Sequence, residues 1–256
     1  MVRMNKFVVG LIIVLVLLNI GLVVINVIKI NSTEIAQEMA ESSSKGENEG
    51  VKKGVSAMRI ELREGFYYEP ISEEIKSKIN GLSYKENSLI DYSDLRYLTV
   101  LYIDFEGNQQ QGHLIVNVQV AEDVLAIFGD LYDACYPIER ICLVEEYGAD
   151  DERSMEDNNT SAFNFRYVDG TDTISDHSYG IAIDINPLYN PYVREGLEER
   201  NVLPVNGTQY ADRDGDFPHK IVKDDVCYQA FAKRGWLWGG EWESTKDYQH
   251  FYKPIF

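Results

Sequence analysis

From Phe7 to Ile28 the chain runs for 22 residues, FVVGLIIVLVLLNIGLVVINVI, without a charged side chain. As a helix that run is about 33 Å long, enough to cross the hydrocarbon core of a bilayer. It predicts one transmembrane helix within residues 1–30, preceded by a short cytoplasmic N-terminus, and it obliges the rest of the chain to fold on one side of a membrane. Arg3 and Lys6 precede the run, and only Lys29 follows closely. The positive-inside rule then puts the C-terminal part outside the cell. A cleaved signal peptide is the competing reading. The apolar run exceeds the usual length of such a region, and no clear A-x-A site follows it, so an uncleaved anchor is the expectation.

Residues 31–57 change character. ESSSKGENEGVKKGVS is rich in Ser, Glu, Lys and Gly and has almost no apolar periodicity, which reads as a flexible stalk. A folded domain is expected over 58–256. The net charge of −18 argues against nucleic acid as a partner, because phosphate backbones need basic patches. The three cysteines, Cys135, Cys142 and Cys227, form no C-x-x-C pair and make neither a disulfide scaffold nor a cysteine-rich metal site. Cys135 and Cys142 could pair if the fold brings them together, but buried free cysteine is the commoner fate.

Helices and strands are expected in mixed order. Ser72 caps a short helix over SEEIKSKING. LRYLTVLYIDF and GHLIVNVQV flank EGNQQQ as the arms of a hairpin. AEDVLAIFGDLYDACYP places Val124, Ile127, Phe128 and Leu131 at helical spacing, with Pro137 as its stop. ERICLVEEY reads as a strand. DDVCYQAFAKRGW reads as a helix capped by Asp224 or Asp225, and the closing DYQHFYKPIF reads as an edge strand. Hairpins mixed with helices predict an α+β domain, a small antiparallel sheet with flanking helices, rather than a doubly wound one.

The chemistry concentrates in SDHSYGIAIDIN, Ser175 to Asn186. In YGIAIDIN the period is two: Ile181, Ile183 and Ile185 point one way, Ala182 and Asp184 the other. A carboxylate in such a run is expensive unless a cation meets it. His177 lies just before Gly180, where the backbone can turn tightly, so an imidazole and a carboxylate can converge. Asp247-Tyr248-Gln249-His250 supplies a second histidine with an acid three positions before it. Two histidines and one carboxylate make a first shell for catalytic zinc with a position left open for water, and Asp247 would then serve as general base. The same residues are also compatible with two unrelated histidines and a salt-bridged aspartate. DRDGDFPHK carries Asp212, Asp214 and Asp216, but the twelfth place of an EF-hand loop would be Lys223, so a solvated acidic loop is expected. His113 and His219 are read as ordinary turn or surface residues.

S-x-H-x-x-G-x-A-x-D, followed far downstream by W-G-G-x-W and D-x-x-H-F, resembles the peptidoglycan-cleaving zinc peptidases. These are the D-alanyl-D-alanine carboxypeptidases of vancomycin resistance and the L-alanyl-D-glutamate endopeptidases. The matching residues are Ser175, His177, Gly180, Ala182 and Asp184, then Trp238-Gly239-Gly240, Trp242, Asp247, His250 and Phe251. The resemblance implies His177, Asp184 and His250 as zinc ligands and Asp247 as the base. Arg166, at the end of SAFNFR, resembles the family arginine near the scissile carbonyl; a structural ion pair with a nearby acid is its alternative role. The carboxypeptidases usually carry Glu where this chain has Asp247, which leans toward an endopeptidase. The expectation is thus a membrane-anchored zinc peptidase of the bacterial cell surface, facing the wall, with the peptidoglycan stem peptide as substrate. A zinc-stabilised module that binds wall peptides without cutting them is the alternative.

Overall fold

The computed structural model describes residues 58–168, 171–195 and 200–255. The anchor expected within residues 1–30 and the stalk over 31–57 lie outside the described residues. Among those that are described, no helix is long and apolar enough to cross a membrane.

Four strands open the domain: β1 (Ile60–Arg63), β2 (Phe66–Pro70), β3 (Leu95–Ile103) and β4 (Gln109–Asn117), hydrogen-bonded in that order as an antiparallel meander. The expected hairpin is β3–β4, in register from Leu95 opposite Asn117 to Ile103 opposite Gln109. It closes more tightly than the sequence suggested, and Gln109–Gln111 pair instead of looping. The cause is Asp104, whose carboxylate accepts from the backbone N–H groups of Glu106 and Asn108 and from the Gln110 side chain, at 3.1, 2.8 and 2.7 Å. Helix α1 (Glu73–Ile79) lies between β2 and β3 and is capped as expected by Ser72.

Helix α2 (Ala121–Asp133) buries Val124, Ile127, Phe128 and Leu131, the positions its spacing predicted, together with Leu98, Val100, Leu114 and Val116 from β3 and β4. Helix α4 (Val226–Ala232) starts at Asp225, whose carboxylate accepts from Tyr228 N–H at 2.7 Å, and adds Cys227, Ala230 and Phe231 to the same core. Asp130 of α2 meets Lys233 and Arg234 just beyond α4 and ties the two helices together.

The remaining strands are short. ERICLVEEY is a strand only at β5 (Arg140–Ile141) and then coils into a 3₁₀ turn over Val144–Tyr147. Leu143 and Val144 are both buried, and a strand with one buried face cannot bury consecutive side chains. Next come α3 (Asp151–Glu156) and β6 (Asn159–Thr160), which pairs with β5 in parallel. A second antiparallel sheet has the order β10–β12–β7, formed by Leu237–Trp238, His250–Tyr252 and Ala182–Asp184. A third joins β11 (Thr245–Asp247), β8 (Tyr192–Glu195) and β9 (Arg200–Leu203). The α+β class is as read, but the sheet is divided into four pieces.

Two further expectations change. The C-terminal segment is not an edge strand: β12 is the middle strand of its sheet, because Phe251 is buried among Phe231, Trp238 and the isoleucines of the core. Cys135 and Cys142 are both free, as is Cys227, so no bridge forms between the first two.

Candidate metal centre

The register of β12 against β7 sets His250 directly opposite Asp184 and Phe251 opposite Ile183. Side chains alternate across a strand, so Ile183 and Phe251 enter the core while Asp184 and His250 share the other face. On its far side β7 is bridged by Ser161, whose N–H and C=O both bond to the Asp184 backbone at 3.1 and 2.9 Å. His177 arrives from a 3₁₀ turn, Asp176–Tyr179, that Ser175 caps. Gly180 ends that turn at φ +68°, and a Cβ there would stand 2.7 Å from the Asn117 nitrogen. Only glycine both takes the left-handed conformation freely and leaves that space.

Three ligand atoms therefore meet. His177 Nε2 lies 3.1 Å from one Asp184 oxygen, His250 Nδ1 lies 3.0 Å from the other, and the two nitrogens are 3.2 Å apart. All three residues are buried. Among the described residues this is the group of histidines and acids whose ligand atoms lie within 4.8 Å of one another. The outer partners fix the tautomers. His177 Nδ1–H donates to the Ala162 carbonyl, which leaves Nε2 as the lone pair facing the cluster. His250 turns Nδ1 inward and its Nε2 faces the Asp176 carboxylate at 3.8 Å. Carboxylates and carbonyls behind the ring are what orients a ligating histidine.

The electrostatics also call for a cation. Burial opposes the charge on Asp184, yet the His177 and His250 rings override it and hold the carboxyl far below the usual carboxylate range. Burial likewise opposes protonation of His250, but Asp176 and Asp184 draw its pKa up to about 10. In this arrangement a proton on His250 answers the acid. A divalent ion answers it better, since both rings then act as neutral donors, and one carboxylate with two imidazoles suits zinc among several transition metals.

Asp247, the expected base, ends β11 and stands beside the cluster but outside it. Its Oδ1 is shut off from solvent and has no hydrogen-bond partner. Burial, partly offset by His250 and reinforced by Asp184, pushes its pKa up to about 7. Gly239 makes this approach possible: a Cβ there would come 2.9 Å from the Asp247 Cβ and 3.4 Å from the His250 Cβ. The tryptophan before it holds the same turn, donating Nε1–H to the Tyr248 carbonyl at 2.9 Å.

Arg166 joins these residues in the wall of a cavity of about 140 Å³. SAFNFR is laced to the His177 turn: Asn164 N–H donates to the His177 carbonyl, Arg166 N–H to the Ser178 hydroxyl, and Ser175 N–H to the Arg166 carbonyl. The guanidinium meets Asp151 through Nη2, while its Nε–H is buried and unpartnered. The ion pair read as this residue's alternative role is present, and one guanidinium donor is left over beside it.

The structure adds three residues that the sequence reading passed over. Asp176 backs His250, and its place directly before His177 was the available signal. Asp151 holds Arg166 from the start of α3, with nothing in its local sequence to mark it. Gln249 lines the cavity, yet its place inside D-Y-Q-H looked like spacer. His113 and His219 stay away from the cluster, stacked on Tyr97 and Phe105. In DRDGDFPHK the inward residue is Arg213, which donates to the carbonyls of Tyr189 and Ile221 at 2.9 and 2.8 Å.

Residues 169–253 match the model of a protein family described as D-alanyl-D-alanine carboxypeptidase. The match runs from just before the His177 turn through β12, and Arg166 lies just outside it. It supports the family that the motifs resemble, which is a peptidase family. No curated protein and no solved structure matches the chain.

Proposed function

We propose that this chain, with its match to a peptidase family, is a membrane-anchored zinc peptidase that hydrolyses the stem peptides of peptidoglycan outside a bacterial cell. The observation that carries the reading is the convergence of His177, Asp184 and His250 beside an acid, Asp247, whose buried Oδ1 has no hydrogen-bond partner. His177, Asp184 and His250 would hold the metal ion, which would supply Lewis acidity toward the scissile carbonyl and the attacking water. The chain's residues do the rest. Asp247 takes the proton of the attacking water on its unpartnered Oδ1 and passes it to the leaving amine, a task that favours a carboxyl with a pKa near the working pH. Arg166 donates Nε–H to the oxygen that gains negative charge.

An endopeptidase is favoured over a carboxypeptidase, because Asp247 stands where the carboxypeptidases usually carry Glu. The uncharged run from Phe7 to Ile28 supports the anchor, and an acidic domain with no electrostatic hold on an anionic wall gains from being tethered.

A wall-peptide binder without catalysis is the other reading, and the unpartnered Asp247 speaks against it, since a binder needs ligands but no base. The test is digestion of purified muropeptides by the zinc-loaded full chain, read by mass spectrometry, with Asp247→Ala alongside. Release of a fragment longer than one alanine by the wild type, and none by a metal-retaining Asp247→Ala, is the expected result. Loss of a single alanine would make it a carboxypeptidase. Equal hydrolysis by both proteins would remove Asp247 from the mechanism.

A further inference from the structure

Gln249 is only 1 % exposed, and its carboxamide oxygen has no hydrogen-bond partner. An acceptor left in that state destabilises a fold unless something else supplies the donor. The residue does not need a polar side chain for its place in the fold. Its backbone carbonyl already extends the sheet by accepting from Ile185 N–H at 3.0 Å, and that bond would survive any side chain. Gln249 lines the same cavity as the ligand cluster, so the cavity's occupant is the available source of a donor. The terminal torsion of glutamine is soft, so the oxygen is free to turn toward a donor there.

The cavity has a complementary orphan. Arg166 Nε–H is a buried donor without an acceptor. Each peptide unit presents one N–H donor and one C=O acceptor. A wall with one unmet donor and one unmet carboxamide acceptor, beyond the acid that handles the water's proton, is matched to a peptide backbone.

From this we infer that Gln249 is a specificity-determining residue, accepting a hydrogen bond from one backbone N–H of the bound peptide outside the scissile bond and so fixing the register in which the peptide lies. The inference rests on the peptidase reading above and deepens it. Gln249 moves no proton and holds no metal; its contribution is to substrate binding and register.

The experiment uses the zinc-loaded full chain and the synthetic pentapeptide L-alanyl-γ-D-glutamyl-L-lysyl-D-alanyl-D-alanine. A companion series carries a single N-methyl group on each backbone amide in turn. With the wild type, one methylation outside the scissile bond is expected to raise KM about tenfold, the scale of one lost hydrogen bond that leaves a buried partner unmet. In Gln249→Met the unmodified peptide is expected to show that same rise in KM with kcat little changed, and the critical methylation then adds nothing further. Such coupling between a side-chain change and a substrate change is not produced by a residue that only supports the fold. Gln249→Glu keeps an acceptor oxygen and is expected to keep the discrimination against that methyl group. Methylation penalties that are the same in wild type and Gln249→Met at every position overturn the proposal, and loss of bound zinc in both variants overturns it in favour of a structural role. A wild type that binds zinc but cleaves no bond refutes the peptidase reading itself, and this proposal with it.

Discussion

Replacing Gly239 with alanine tests the geometry of the site without touching any of its chemical groups. Gly239 opens the 3₁₀ turn Gly239–Glu241, and a Cβ built on it would stand 2.7 Å from the Asp247 carbonyl oxygen and 2.9 Å from the Asp247 Cβ. Its backbone is not in the left-handed region, so alanine's cost there is contact rather than torsion. Comfortable non-bonded carbon contacts lie at about 3.5–4.0 Å, so the neighbours must give by about 0.6–1 Å. Neither obstacle is the loose end of a side chain; the β11 backbone itself has to move, and Asp247 moves with it. Overpacking of this kind costs about 1–3 kcal/mol, which a domain stable by about 5–15 kcal/mol survives. The melting temperature is expected to fall by about 2–4 °C for each kcal/mol in a domain of this size. Catalysis is less forgiving, because a misplacement of about 1 Å costs on the order of 100-fold in rate. Gly239→Ala should therefore melt cooperatively, a few degrees low, and lose about 100-fold in kcat/KM on the stem pentapeptide. Gly215→Ala is the control: its Cβ would meet nothing nearer than 3.5 Å, and activity should persist. A Gly239→Ala protein with wild-type kcat/KM would show that Asp247 and His250 do not need the positions this turn imposes, and the base assignment would go with it.

Chelation should lower stability, because it leaves the buried Asp184 charge to be met by protons alone. Zinc at about 100 times its dissociation constant contributes about 2.7 kcal/mol, so a scanning-calorimetry shift of roughly 5–10 °C is expected, and Asp184→Asn should abolish it. The acid limb of the kcat/KM profile should fall at or below the value of about 7 to which burial raises Asp247, since a cation beside the carboxyl draws that value down; a limb well above it would belong to another group. Asp130 gives a pH effect remote from the site. Burial works against its charge, but Lys233 and Arg234 prevail and hold the folded pKa below 3.8. The stabilisation is therefore complete above the unfolded value and disappears as pH falls through the folded one. Asp130→Asn should flatten that part of the melting temperature against pH curve, and an unchanged acid slope would remove the link between α2 and α4 from the account.

What could be read from the sequence was what is local. Ser72 and Asp225 cap helices because a side-chain oxygen next to a helix start needs only its own neighbours to act. The stripe of Val124, Ile127, Phe128 and Leu131 was legible because a helix repeats its faces within a few residues. The alternation in Ile181–Ile185 was legible for the same reason, and it correctly separated the core-facing isoleucines from Asp184. ERICLVEEY misled because its composition suits a strand, while burial of the adjacent Leu143 and Val144 requires a turn. The hairpin loop came out too long because the carboxylate of Asp104 closes it from a position that looked like strand end.

The site itself needed more than local pattern. His177 and Asp184 could be brought together from seven positions of sequence, but His250 reaches them only because β12 inserts between β10 and β7, and pairing across 66 residues leaves no periodic trace. Motif matching supplied that link from the residue types alone. It could not supply Asp151, Asp176 or Gln249, whose roles come from what they face rather than from their spacing. A buried carboxylate raises a question that sequence can pose, namely which cation meets it. The answer here depends on three backbone segments: the Ser161–Arg166 run on one side of β7, β12 on the other, and the capped turn that carries His177. Each is held in place by main-chain hydrogen bonds, so the ligand cluster is preorganised by the fold before any ion arrives. That preorganisation is why steric pressure at Gly239, a residue with no chemistry of its own, is expected to reach catalysis before it reaches the fold.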